Sequence, residues 1–290
     1  MKILIYGAGV IGSLYGALLD KAGFDVSIYA RNQRLEALRL EGLLYYCHGK
    51  VNKASGIKVI AELKKTDCYD FIFLAVRENQ LYKALSELKT VKGDIVTLVN
   101  SIDDYCKWEE ICGAGRIVPA FPGAGGSIHE DILDASLTPA IVQPTTFGEI
   151  SGRKTTRTKK LKHILRKAKI PFQEVKDMHL WQICHLAMVV PIADAYYEAK
   201  VPETAGNDRY LMRRTAMQLK RNFADVRRKN GALSPAKMNL IRLCPIPVMT
   251  DVLSGVFNSA FGKKFMYEHS MKAPEEMREL HRQFYEYICN

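Results

Sequence analysis

The opening stretch KILIYGAGVIG, Lys2 to Gly12, constrains the fold of this chain more than any other. Lys2 to Tyr6 is a short apolar run of strand type, and Gly7-Ala8-Gly9-Val10-Ile11-Gly12 follows it without a gap. Val10, Ile11, Leu14, Tyr15, Ala17, Leu18 and Leu19 recur at helical spacing, so an amphipathic helix begins inside the glycine string. A GxGxxG string is weak evidence by itself; between a strand and a helix it has a mechanical purpose. Gly7 permits the tight turn, Gly9 lets backbone approach a pyrophosphate, and Gly12 lets the helix pack close to the strand. The helix N-terminus then offers free N–H groups to an anion. Gly7, Ala8, Gly9, Val10, Ile11 and Gly12 are therefore the expected cofactor cradle, and the cofactor class is a dinucleotide.

The next strand bears on which dinucleotide. Asp25 to Ala30 reads as a second parallel strand whose end meets the adenosine ribose. Chains that use NAD usually place an acidic residue there, to accept from the ribose hydroxyls. This chain has Arg31-Asn32-Gln33-Arg34 instead. A guanidinium binds a 2′-phosphate through paired charge-assisted hydrogen bonds, so the expectation is NADP(H).

At 290 residues and 48% hydrophobic content the chain can bury ample core, and about two domains are expected. No run approaches the ~18 apolar residues of a membrane span, and the N-terminus lacks a signal-peptide pattern. The seven cysteines are scattered without CxxC spacing, which fits reduced thiols rather than a disulfide frame or a zinc site. A cytoplasmic protein with no metal and no membrane partner is the consistent expectation. The formal charge of +11 is densest over residues 153–169 and again between Arg213 and Lys229. Leu161, Ile164, Leu165 and Ala168 place the first cluster on the exposed face of an amphipathic helix. No aromatics interleave with the bases and no nucleic-acid module is visible. The reading is a solvated basic face that attracts anions, with no nucleic-acid partner.

Strand and helix alternate through the first half of the chain, which predicts an α/β domain with a parallel sheet. Phe71 to Val76, Asp94 to Val99 and Arg116 to Ala120 read as further strands, with helices at Gln80–Leu88 and Tyr105–Cys112. Strand-like runs from Ser127 to Phe147 are expected to extend the same sheet. A last strand lies near Ile170–Val175, and the pattern is helical from about Lys176 onward. The expected domains are residues 1–172 and 173–290. Ligands of open parallel sheets bind beyond the carboxyl ends of the strands, so the residues there are the ones to read for chemistry. Arg77 stands where it meets cofactor phosphate or substrate carboxylate, and Asn100 where it meets the nicotinamide. Gly123, Gly125 and Gly126 can let backbone close over a ligand.

These pieces carry a family resemblance. KILIYGAGVIGSLYGALL, Arg31, AVRENQ, the asparagine of LVNS, LKHILRKAKIPFQEVKDMHLW and a closing helix with EEM together resemble the ketopantoate reductase (2-dehydropantoate 2-reductase) family. The resemblance implies a Rossmann-type domain followed by an all-helical C-terminal domain for substrate and dimerisation. It implies NADPH-dependent reduction of a small-molecule 2-keto acid, ketopantoate to pantoate, in pantothenate biosynthesis, with a homodimer as an open expectation. It assigns Arg31 to the 2′-phosphate, Arg77 to the place of a cofactor-side lysine, Asn100 to cofactor and substrate, and Glu276 to the substrate hydroxyl. The chain departs from the family where the general acid belongs. That lysine stands two positions after a tryptophan, and here Trp181 is followed at that position by Ile183. Proton transfer of this kind typically contributes about 10²–10⁴-fold to rate. His185 is the nearest titratable replacement and the remaining catalytic candidate. The alternative function is an NADP(H)-binding paralogue without this turnover, serving regulation or another keto-acid or opine-type substrate.

Overall fold

The computed structural model describes residues 1–272 and 274–289. It divides into two compact units, Met1–Met178 and His179–Asn290.

The first unit runs in the order β1 (Lys2–Tyr6), α1 (Val10–Lys21), β2 (Asp25–Tyr29), α2 (Asn32–Glu41), β3 (Leu43–Cys47), β4 (Lys50–Ala54), β5 (Lys58–Ile60) and β6 (Cys68–Leu74). It continues through α3 (Leu81–Leu88), β7 (Lys92–Leu98), α4 (Tyr105–Cys112), β8 (Ile117–Phe121), β9 (Ala124–His129), β10 (Ile132–Leu137), β11 (Thr145–Phe147), α5 (Thr156–Lys167) and β12 (Phe172–Glu174). Eight of these strands form one sheet in the order β12-β11-β8-β7-β6-β1-β2-β5. Its central strands are parallel, and β11 runs antiparallel to β8.

Period-two alternation explains why the central strands are apolar throughout: each buries both faces. Ile3, Ile5, Val26, Ile28, Phe71, Phe73, Val96 and Leu98 share a core with α1 and α5. Leu4, Tyr6, Ile72, Leu74 and Ile95 point the other way, into the core built with α3 and α4. Each such side chain contributes roughly 1.5–3 kcal/mol of burial, so the alternation sets the register of the whole sheet.

Two expectations need correction. The segment after β8 does not simply extend the large sheet. β9 and β10 instead pair with each other and, through β3, join β4 in a separate four-stranded sheet; only β11 enters the large one. The cause is the two-residue turn Glu130-Asp131, both at positive φ (47° and 62°), which folds β10 straight back on β9. Secondly, residues 172–174 belong to the first unit, because β12 pairs with β11. The division therefore falls after Met178 and not at 172.

The second unit is helical: α6 (Met178–Glu198), α7 (Arg209–Asn230), α8 (Met238–Leu243), α9 (Ile246–Phe257), α10 (Ala260–Gly262), α11 (Glu268–Lys272) and α12 (Pro274–Cys289). Pro191 lies inside α6 and has no N–H to donate one turn back, to the carbonyl of Ala187. Asn222 of α7 fills that role: its Nδ2 donates to Ala187 O at 3.2 Å. Its Oδ1 accepts from Gln218 Nε2 at 2.8 Å, and Gln218 also donates to the Tyr285 hydroxyl at 3.0 Å. Asn222→Leu should therefore cost about 1–3 kcal/mol, the cost of a buried carbonyl left unpaired. A melting temperature lowered in calorimetry, and partly restored when Pro191→Ala returns the N–H, is the expected result. Additive effects of the two substitutions would show that the side chain does not serve this carbonyl. Among the described residues no helix is long and apolar enough to cross a membrane, and no group of metal-ligating side chains is assembled.

Candidate dinucleotide site

The turn between β1 and α1 is held from both sides. Gly7 N donates to Tyr29 O at 3.3 Å on β2, and Ala75 N donates to Tyr6 O at 2.9 Å. Gly7 has φ 107°, and a Cβ there would lie 2.3 Å from the Ala75 carbonyl oxygen. A Cβ on Gly12 would lie 1.8 Å from the Gly7 oxygen. The outer glycines thus permit close backbone packing. Gly9 is different: a Cβ there would meet no heavy atom within 4 Å. Gly9 is also the N-cap of α1, with no side-chain cap and no acidic residue in the first turn. The first-turn N–H groups have no side-chain cap, and the positive end of the helix dipole lies there, which suits an anion.

Arg34 holds this turn in place. Its Nε donates to Ala8 O at 3.2 Å, and its Nη1 donates to both the carbonyl and Oδ1 of Asp131 at 3.0 Å. One guanidinium thereby ties the glycine turn to the left-handed hairpin between β9 and β10. Arg34 is committed to structure, with a side chain only 17% exposed.

Arg31, just past β2, has a different partner. Its Nη1 donates to Glu87 Oε1 at 3.3 Å, and its guanidinium lies 5.8 Å from the centroid of the Tyr29 ring. Glu87, on α3, also accepts from the hydroxyls of Tyr6 and Tyr29. Burial, then the Glu87 carboxylate, pushes the pKa of both phenols up, so they stay neutral and keep donating at physiological pH. Tyr6 and Tyr29 end neighbouring strands, with ring centroids 4.8 Å apart. Sequence reasoning missed this trio. Two strand-final tyrosines with buried rings call for a hydroxyl partner, yet nothing local says that it comes from Glu87.

Asn100 follows β7 and is half-buried; its Oδ1 is buried with no partner among the described residues. An orphaned amide oxygen at a strand end fits the polar edge of a nicotinamide. Arg77 is exposed at the start of a short 3₁₀ turn, Glu78–Gln80. Gly125 needs correction: it lies within β9, opposite Ser136, rather than in a strand-end loop. A Cβ on neighbouring Gly123 would lie 2.5 Å from Gln143 O and one on Gly126 2.2 Å from Asp134 O. Gly123 and Gly126 thus permit close backbone packing.

Two other sequence candidates, His185 and Glu276, stand in the second unit, as does Ile183, which takes the place of the family lysine. Ile183 is 0% exposed, an aliphatic core residue of α6. His185 is 7% exposed and lies parallel to the Trp181 ring, with centroids 5.3 Å apart. Glu276 is half-buried in the first turn of α12.

The family described as ketopantoate reductase PanE/ApbA matches residues 3–133. A 2-dehydropantoate 2-reductase from Mesorhizobium japonicum is 30% identical over 162 residues, 52% of this chain and 48% of the relative. The chain thus spans about half the length of that curated relative. The fold is similar to that of a 2-dehydropantoate 2-reductase from Porphyromonas gingivalis W83, with TM-score 0.68, 18% identity, and 100% and 99% of the two chains covered. It is also similar to that of a D-mandelate dehydrogenase in ternary complex with NADH and anilino(oxo)acetate, with TM-score 0.63, 16% identity, and 99% and 98% covered. At these identities the solved structures speak for the fold, α/β followed by a helical part. Through its glycine turn and the region around it, residues 3–133 of the chain match the ketopantoate reductase PanE/ApbA family.

Proposed function

We propose that this chain binds NADP(H) on the Gly7–Gly12 turn and reduces a 2-keto acid to the 2-hydroxy acid. The observation that carries the reading is the open space before Gly9, at an uncapped helix N-terminus, inside the region that matches the family. The N–H groups of the first turn of α1 would hold the pyrophosphate, and Arg31 would turn to the 2′-phosphate. Asn100 orients the nicotinamide end, with Arg77 drawing in the anionic carboxylate of the substrate. The bound cofactor supplies a hydride to the keto carbon. The keto oxygen then takes a proton, and Ile183 has none to give. His185, also on α6, and water are the two candidate sources, and the family resemblance gives Glu276 to the nascent hydroxyl.

A second reading is favoured by one observation. Ile183 is wholly buried, and the asparagines the resemblance leads one to expect further along α6 are replaced by the apolar run Ala187 to Pro191. That combination suits a protein that binds the cofactor and responds to it without turnover.

Calorimetric titration should show NADPH binding at least about tenfold tighter than NADH, through one Arg31–phosphate charge pair. Equal affinities would sink the role given to Arg31. NADPH oxidation is then measured with ketopantoate and with aliphatic and aryl 2-keto acids, the latter prompted by the mandelate dehydrogenase fold. Turnover with one of them identifies the substrate class; tight NADPH binding with no turnover on any selects the second reading.

A further inference from the structure

Arg31 is the cation expected to meet the 2′-phosphate, and in this structure it is already engaged. Its Nη1 lies 3.3 Å from Glu87 Oε1 and its guanidinium lies over the Tyr29 ring. Glu87 is fixed independently of Arg31, because the neutral hydroxyls of Tyr6 and Tyr29 both donate to its Oε2. The carboxylate sits 30% exposed, so it is partly withdrawn from solvent and its charge is not fully screened. Arg34 is tied by its Nε to Ala8 O and by its Nη1 to Asp131, and its Nη2 is buried, so Arg31 is the more accessible of the two guanidiniums.

This arrangement has opposite consequences for the two nicotinamide dinucleotides. A dinucleotide with a free 2′-hydroxyl leaves the Arg31–Glu87 pair intact. One with a 2′-phosphate must draw Arg31 away, and then leaves a carboxylate, held by two tyrosines, close to a new anion. We propose that Glu87 is a specificity-determining residue: it latches Arg31 and reduces the preference for NADPH over NADH that Arg31 confers. The proposal rests on the reading that Arg31 serves the adenosine ribose site.

The test is the ratio of the NADPH and NADH dissociation constants, by calorimetric titration of the full chain and of Glu87→Gln. Glutamine keeps an acceptor for the tyrosine hydroxyls and removes the charge. The expected result is NADPH binding roughly three- to tenfold tighter and NADH changed by less than about twofold, the scale of one partly screened ion pair. The gain should shrink as salt is raised, and should be smaller in an Arg31→Met background, where only the direct repulsion between carboxylate and phosphate is relieved. A purely structural role for Glu87 would change both dinucleotides alike and ignore salt. If Glu87→Gln fails to fold, Glu87→Asp draws the charge back by one methylene and should move the ratio the same way by less. An unchanged ratio in whichever variant folds overturns the proposal. Failure of the unaltered chain to bind either dinucleotide is a different result, and it overturns the cofactor reading itself.

Discussion

Gly12→Ala is expected to destabilise the first unit by about 1–3 kcal/mol or more and to abolish measurable dinucleotide binding. The new methyl would sit 1.8 Å from the Gly7 carbonyl oxygen and 3.0 Å from Ile5 Cγ2. The first obstacle is backbone, so relief requires α1 to move off β1, and that movement carries away the N–H groups proposed to hold the pyrophosphate. Gly9→Ala should behave in the opposite way. Gly9 has an extended backbone (φ −75°, ψ −168°) that alanine adopts without strain, and its Cβ meets nothing within 4 Å. Its stability should stay within roughly 0.5 kcal/mol of the unaltered chain. Its NADPH affinity should nevertheless fall at least about tenfold, because the methyl enters the space a pyrophosphate needs. Thermal melts and titrations on both variants decide this. If Gly9→Ala binds NADPH normally, the turn does not cradle the cofactor. If Gly12→Ala melts normally, the seating of α1 on β1 does not depend on a bare Cα at position 12.

Ile183→Lys is expected to cost about 3 kcal/mol or more and to confer no reductase activity, although it restores the residue that the family resemblance leads one to expect. Ile183 is 0% exposed, and a lysine there must bury its ammonium or give up its proton. Cys184, Leu186 and Ala187 along the same helix are equally buried. Ile183→Val should cost only about 0.5–1.5 kcal/mol, which separates the effect of charge from that of lost volume. The measurements are chemical denaturation and NADPH oxidation with ketopantoate. A lysine variant of undiminished stability and raised turnover would mean that the chain lacks only its proton donor. The expected result would mean that α6 has been rebuilt around an apolar core at this position.

Parts of this molecule were legible because the physics that specifies them is local. The glycine turn lies between a strand and a helix, each recognisable from its own apolar period, and the turn geometry follows from residues close together in the chain. The central strands were legible as continuous apolar runs, since parallel strands bury both faces. The route after β8 was less so: whether a hairpin joins one sheet or another depends on two left-handed residues, Glu130 and Asp131, and on what covers α1. Gly125 was misplaced for the same reason, since a glycine near a strand end looks alike whether it closes over a ligand or pairs within a strand.

The sequence by itself determined the α/β order, the glycine turn between β1 and α1, and the positions of Arg31, Arg77 and Asn100 after their strands. It also exposed the isoleucine at position 183. Only the tertiary structure decided what those residues touch. Arg31 meets Glu87 from 56 positions away, and Arg34 pins Ala8 to a turn 97 positions further on. Pro191 is compensated by Asn222 from a different helix. Secondary structure is written in short-range periodicity, whereas a charge partner or the donor for an orphaned carbonyl is set by which surfaces are brought together on folding.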